Sequence, residues 1–264
     1  MNESVMWKVT GTLPEIYEQV FVPAAMRRWA TRLIDFLEMK HDQRILDIAC
    51  GTGAATHLLA ERCGYPGQVV GYDLSPEMLA IAQAKRPDTA IDWQLGDASH
   101  LPFLDESFEI VTCLFGFMFF EDRVANLREM YRVLAPGGQL AVLVWGAIER
   151  NPGFFAVAKG FGRHVSADAS NSIRSSFVLG DIQQMQSIAA GADLRDASVQ
   201  AISTLAHFPS VEFLVHGYGA MLQAEIDEAT HSRLLNDIAV MLQAYLVPGG
   251  LVFPMEAILL HMRK

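Results

Sequence analysis

Apolar and polar positions along the 264-residue chain follow two periods, and the switches between them predict most of the elements. Over 14–39, Met26, Trp29, Leu33 and Leu37 fall at helical spacing with Arg27, Arg28, Arg32 and Glu38 between them. That is a helix with one apolar and one wet face. Pro23 predicts a bend, or a separate turn, ahead of it. The run 44–49 is short and densely apolar, as a strand buried on both faces is, and Gly51 and Gly53 end it. Residues 54–62 read as a helix closed by Gly64, and 68–72 (QVVGY) as a second strand stopping at Asp73. Ser75, Pro76 and Glu77 then supply an N-cap, a proline at the first helical position and an early acid, with Lys85 and Arg86 at the far end. A helix over 76–86 follows.

A third strand, 91–95, ends at Gly96-Asp97, and a fourth, 108–114 (FEIVTCL), runs into the aromatic cluster FGFMFF. Glu121-Asp122 opens a helix with Val124, Leu127, Met130 and Val133 or Leu134 inward, which Pro136-Gly137-Gly138 breaks before a strand over 139–145. Short buried strands alternating with crossover helices predict an α/β fold with a doubly wound, mostly parallel sheet. After Trp145 the rhythm changes. Residues 147–180 read as helix and loop, 181–190 as a capped helix, 198–207 as a strand, 211–224 and 227–246 as helical, and 255–262 as a last apolar strand.

Composition narrows the function. A 51% hydrophobic content fills one sizeable core, and no internal repeat or low-complexity linker divides the chain, so one domain over 1–264 is expected. With 20 Lys+Arg against 30 Asp+Glu the formal charge is −10, and no basic run offsets it, so a phosphate backbone is repelled and nucleic acid is not an expected partner. Cys50, Cys63 and Cys113 show neither metal-ligand nor disulfide spacing, which suits reduced thiols. No window reaches the roughly 18 apolar residues of a membrane span, and no leader pattern opens the chain, so a cytoplasmic location is expected.

The join ILDIACGTGAAT (45–56) lets backbone approach a ligand closely and aims N–H groups at it. Asp73 lies twenty residues beyond Gly53 at the end of the next strand, where an acid accepts ribose hydroxyls. Asp97 ends the third strand, where a carboxylate can accept an exocyclic adenine amine; its other reading is a cap on 98–100. Thr56 stands where a dinucleotide fingerprint has its third glycine. An NAD-dependent oxidoreductase shares the first turn and Asp73 but leaves Asp97 and the missing glycine unexplained.

Four segments, ILDIACGTG (45–53), VVGYDLSPEMLAIAQAK (69–85), WQLGDASHLPFLDESFEIVTC (93–113) and REMYRVLAPGGQLAVLVW (128–145), together resemble the class I S-adenosylmethionine-dependent methyltransferases. The likeness is to the small-molecule branch related to the ubiquinone and menaquinone biosynthesis enzymes, and FPMEAILL (253–260) resembles the closing strand of a bacterial subgroup. The resemblance implies a seven-stranded Rossmann-like sheet, N-terminal lid helices over 1–40, a cofactor-binding core over 41–146 and a helical cap from 147–180 and 210–251. It implies S-adenosyl-L-methionine as cofactor and methyl transfer to a small acceptor at O, C or N, in quinone or secondary metabolism. A protein that binds the sulfonium compound without methylating stays open, as do monomer and homodimer.

The resemblance also distributes roles. Ala49, Gly51 and Gly53 would line the methionine arm, with Asp47 anchoring the turn and Cys50 filling a position where small residues are usual. Asp73 would hold the ribose, Leu74 and Met78 the adenine faces, and Asp97 with the Ala98 amide its edge. Leu114 and Phe115 would lie beneath the sulfonium, and Tyr17 and Trp29 could lid it. Phe117, Met118, Phe119, Phe154 and Phe177 are the expected acceptor contacts, within aromatic-rich segments that suit an apolar or aromatic metabolite. No catalytic group is obligatory; if the acceptor is a hydroxyl, His207, His164 and Tyr218 are the candidates for a base, with His216 and Glu149 behind them. LFGF (114–117) is not the Asn/Asp-Pro-Pro-aromatic run of amino-methylating nucleic-acid enzymes, and no acid and amide cluster suggests a metal.

Overall fold

The computed structural model describes residues 9–64, 68–87 and 90–264; residues 1–8 of the expected N-terminal segment lie outside them. In chain order the elements are α1 (Leu13–Ile16), α2 (Arg27–Phe36), β1 (Ile45–Ile48), α3 (Thr56–Cys63), β2 (Val69–Asp73), α4 (Pro76–Lys85), β3 (Ile91–Leu95), β4 (Phe108–Leu114) and α5 (Arg123–Arg132). There follow β5 (Leu134–Trp145), α6 (Pro152–His164), α7 (Ala167–Arg174), α8 (Ile182–Gly191), β6 (Ser198–Phe208), α9 (Val211–Met221), α10 (Glu228–Met241), β7 (Leu246–Val247) and β8 (Gly250–Arg263).

The strands form one sheet in the order β3-β2-β1-β4-β5-β8-β6, with β7 paired to β8 outside that path. β1, β2, β3, β4 and β5 pair in parallel, and β8 joins β5 antiparallel. The expected doubly wound, mostly parallel α/β sheet is observed, with a two-residue eighth strand added. The order reverses beside β1: β2 lies on one side and β4 on the other. In such a sheet the strand ends at that reversal form the crevice that takes ligands.

Two compact units divide the chain. One comprises Trp29–Trp145, Leu179–Ile202 and Ala257–Lys264, and the other Met1–Arg28, Gly146–Val178 and Ser203–Glu256. The first holds β1 to β5 with α3, α4, α5 and α8; Ile45, Leu46, Ile110, Leu140 and Leu143 are fully buried in it. The second holds α1, α6, α7, α9 and α10, with Phe154, Phe161, Leu234, Ile238 and Phe253 buried. Both expected cap segments fall mostly in this second unit.

Local signals set most boundaries. Ser75 caps α4 by accepting the Met78 N–H at 3.1 Å, Asp122 caps α5 through the Ala125 N–H at 2.9 Å, and Gly64 closes α3. Several boundaries differ from the sequence reading: the strand expected over 255–262 begins at Gly250, and the helix expected over 211–224 ends at Met221. Pro23 lies inside a wide-turn helix, Tyr17–Met26, that joins α1 to α2. Pro136-Gly137-Gly138 does not separate α5 from a strand beginning at 139. β5 starts at Leu134 and takes the triplet as an irregularity, the register moving from Phe108↔Leu134 to Ile110↔Gln139. The helix expected over 227–246 stops at Met241, and a short tight turn leads into β7.

Candidate functional site

β1 is buried at all four positions and delivers its last residues to the join with α3. Asp47 is 1% exposed, and its carboxylate accepts the Thr56 hydroxyl at 2.6 Å and the Thr112 hydroxyl at 2.8 Å. One partner comes from α3 and the other from β4, so a single acid ties the turn to two neighbours. Burial pushes its carboxyl up to about 6 against the pull of both hydroxyls, and the Asp73 charge pushes it the same way. Thr56, which occupies the place of a dinucleotide fingerprint's third glycine, therefore spends its hydroxyl on Asp47.

The chain then turns sharply. Ala49 has φ +52° and Gly51 φ +55°. A side chain is uncommon at such an angle, and its persistence at Ala49 marks a turn that its surroundings impose. At Gly51 an added Cβ would meet nothing within 4 Å, so the glycine borders open space. At Gly53 (φ +77°) a Cβ would come within 2.7 Å of the Trp93 ring, so close packing as well as angle demands glycine. Thr52 is 1% exposed and its hydroxyl has no partner among the described residues.

Asp73 reaches across from β2. Its Oδ2 accepts the Gly51 N–H at 2.7 Å and its Oδ1 the Ser75 N–H at 2.9 Å. One carboxylate thus sets two strand-end turns and keeps lone pairs for two vicinal hydroxyls. Beyond it Leu74 is 69% exposed, and Met78 is half-buried one turn into α4. Asp97 is exposed past β3; it accepts the Ser99 N–H at 2.8 Å, and this bond holds its carboxyl below the usual range. Ala98 beside it is half-buried.

At the end of β4, Leu114 pairs with Leu143 and Phe115 turns off with φ +55°, its N–H donating to Leu143 O at 2.8 Å. The Phe115 ring stacks on Trp145, centroids 4.0 Å apart, and Trp29 meets both rings edge-on at 5.7 and 6.2 Å. Trp29, expected as a lid residue, is fully buried in this cluster; its ring N–H has no partner among the described residues. Phe117 and Met118 are buried in a tight turn, leaving Phe119, 61% exposed, as the member of that run facing outward. Cys50 is buried; burial and then the charges of Asp47 and Asp73 push its thiol up, against a reactive role.

The other expected residues belong to the second unit. Tyr17 stacks on Phe21 at 6.4 Å, and Phe154 and Phe177 are buried 5.9 Å apart. Tyr218 sits among rings, edge-on to Phe21 at 5.0 Å and Phe154 at 6.2 Å, and its apolar surroundings push the phenol well up, so it holds its proton. His164 Nε2 is 2.8 Å from Asp237, which also takes the Arg163 guanidinium at 2.7 Å. His207 lies exposed on β6, its imidazole pushed below its ordinary value by partial burial and then by the Arg28 charge. His216 is buried, its ring 5.0 Å from His231, and Glu149 lies 3.8 Å from Arg174. Thr112 and Trp145 escaped the sequence reading; the signal for Trp145 was an aromatic ending the strand after the FGFMFF cluster.

Residues 46–142 match a family described as "Methyltransferase domain". They are a class I S-adenosylmethionine-dependent methyltransferase domain. The chain is 47% identical over 119 residues to a demethylmenaquinone methyltransferase of Thermus thermophilus, covering 44% of this chain and 53% of that relative. It is 34% identical over 152 residues to the corresponding protein of Bacillus velezensis, covering 54% and 65%. The matches thus span roughly half the length of such relatives. Phosphoethanolamine N-methyltransferase 2 of Haemonchus contortus, solved with S-adenosylhomocysteine, shares the fold with a TM-score of 0.61 at 20% identity, covering 97% of this chain and 59% of that one.

S-adenosylmethionine is the cofactor that a methyltransferase domain implies. The residues present fit it: an open cradle at Gly51, a buried hydroxyl awaiting a partner at Thr52, and an acid with free lone pairs at Asp73. Among the described residues no group of three or more His, Cys, Asp or Glu could hold a metal ion, and no helix is long and apolar enough to cross a membrane.

Proposed function

We propose that the protein transfers a methyl group from S-adenosylmethionine to a small, largely apolar or aromatic acceptor, with a quinone-type ring as the leading class. The observation that carries this reading is the Asp73 carboxylate spanning the Gly51 and Ser75 N–H groups beside an open glycine. The likeness to demethylmenaquinone methyltransferases supports the ring.

When bound, the cofactor supplies a methyl group already activated on a positively charged sulfur. The work of this chain is to hold and orient. Asp73 would accept the two ribose hydroxyls, Leu74 and Met78 would cover the adenine faces, and Asp97 with the Ala98 amide would read the base edge. The Ala49, Gly51 and Gly53 backbone would receive the amino-acid arm, Asp47 keeping that turn in place through Thr56 and Thr112. Leu114 and Phe115 would border the reacting centre, where an aromatic face attracts positive charge by about 0.5 to 2 kcal/mol. Phe119 would offer an apolar contact to the acceptor.

No base is required of the protein if the acceptor arrives already ionised, as a phenolate or hydroquinone anion, the proton lost overall passing to solvent. Alignment and exclusion of water supply most of the acceleration. The test is to incubate the protein with S-adenosylmethionine labelled at the methyl group and a panel of acceptors: reduced naphthoquinones, simple phenols, and charged sugar phosphates. Label should appear in the apolar ring compounds. Turnover confined to the highly charged acceptors would overturn the proposed acceptor class.

A further inference from the structure

We infer that Glu129 and Arg132, one turn apart on α5, act as positioning residues for the loop that would read the cofactor's base. The inference rests on the reading of Asp97 and Ala98 given above, and deepens it. From Gly96 to Ser107 the chain belongs to no helix or strand, so no ladder fixes it. Its local bonds are short-range: Asp97 accepts the Ser99 N–H on its side chain at 2.8 Å and the His100 N–H on its carbonyl at 3.2 Å. Tyr72 and Asp73 of β2 tie its start, the Tyr72 hydroxyl donating to the Asp97 carbonyl at 3.3 Å and the Gly96 N–H to Asp73 O at 2.9 Å. A base edge is distinguished only if the carboxylate and amide facing it keep their places, so the loop needs an anchor on its far side as well.

Arg132 provides it with all five of its N–H donors. Nε donates to Glu129 Oε1 at 2.8 Å, and Nη2 to Glu129 Oε2 at 2.9 Å and Leu101 O at 3.0 Å. Nη1 donates to Phe103 O at 2.9 Å and Asp105 Oδ1 at 2.7 Å. Glu129 Oε2 also accepts the Leu101 N–H at 3.2 Å. The pair therefore grips Leu101 by both backbone groups, four residues past Asp97, and holds the next two turns of the loop by a carbonyl and a carboxylate. The same bonds keep the Glu129 carboxyl below its ordinary value, Arg132 foremost. Only a planar fork with five donors serves these acceptors at once; a lysine ammonium would not. The sequence reading quoted both residues within the segment 128–145 but gave neither a role.

The test compares binding of S-adenosylhomocysteine with its inosine analogue, in which a carbonyl replaces the adenine amine. Wild type should prefer the adenine compound. Arg132→Lys should weaken S-adenosylhomocysteine by about tenfold, as the loss of one or two backbone ties implies, and shrink the preference between the nucleosides. Glu129→Gln, which keeps an acceptor for the Leu101 N–H, should shift the preference the same way by less; it carries the test if Arg132→Lys does not fold. Arg128→Ala on the same helix should leave the preference unchanged. A general loss of stability would weaken both ligands alike and leave their ratio intact. An unchanged ratio in a folded Arg132→Lys protein, or in folded Glu129→Gln should Arg132→Lys not fold, overturns the inference. Failure of wild type to bind S-adenosylhomocysteine at all would instead overturn the cofactor reading beneath it.

Discussion

At the glycine turn two carboxylates hold neighbouring turns and leave capacity over, whereas in the second unit the histidines and Tyr218 named as candidates lie against other side chains. Asp73 accepts two backbone N–H groups from different turns, and Asp47 links hydroxyls from α3 and β4. In the second unit Asp237 is shared between Arg163 and His164, His216 sits against His231, and Tyr218 is ringed by phenylalanines. A carboxylate that fixes peptide groups defines a cradle for a ligand of fixed shape. The contrast fits the proposal that cofactor binding lies at the turn.

The largest effects should come from the turn. Gly51→Val forces a β-branched residue to φ +55° and fills the open cradle, and Asp73→Ala removes a charged acceptor of several hydrogen bonds. Each should cost on the order of a hundredfold to a thousandfold in affinity for S-adenosylhomocysteine, measured by calorimetry, while circular dichroism shows a folded chain. Unaltered affinity in both would break the comparison.

A pH dependence of stability sharpens it. The Asp47 carboxyl, held near 6 against an unfolded value near 3.8, binds its proton more tightly in the folded chain. It adds stability below about pH 4, and that stability is lost as pH rises through 6, a change of roughly 2 to 3 kcal/mol. In Asp47→Asn this component disappears, so denaturant midpoints should vary less between pH 4 and 7 than in wild type. Equal pH profiles would place the charge elsewhere. A smaller effect is expected of Thr112→Val, which keeps the shape but leaves Asp47 one donor: about 1 to 2 kcal/mol of stability at pH 7, read from urea unfolding. Smallest of all, His164→Gln and His207→Gln should each change kcat by less than about fivefold with an acceptor that needs no base. A loss beyond a hundredfold in either would restore that histidine as a catalytic group.

Much of this was legible in the residues before the structure. β3 and β4 were read to the residue, and α4 within one, because caps and prolines act within a few positions of where they stand. Gly51, Asp73 and Asp97 could be placed near one another for a related reason: they stand at or just past the ends of β1, β2 and β3, and the ends of neighbouring parallel strands gather at one edge of the sheet. What escaped depends on partners distant in sequence. Thr112 meets Asp47 only because β4 pairs with β1, and Trp145 meets Phe115 only because β5 pairs with β4. The Pro136-Gly137-Gly138 triplet misled because an irregular register absorbs residues that end ordinary elements.

The central claim is that an acid at one strand end and an open glycine turn at the next form a seat for one nucleoside carrying an amino-acid arm. Calorimetric titration of the full chain with S-adenosylhomocysteine and, separately, with NAD tests it most directly. The account predicts saturable one-site binding of the first, no heat from the second, and loss of the first signal in Asp73→Ala. Binding of NAD alone, or S-adenosylhomocysteine binding indifferent to Asp73, would contradict it.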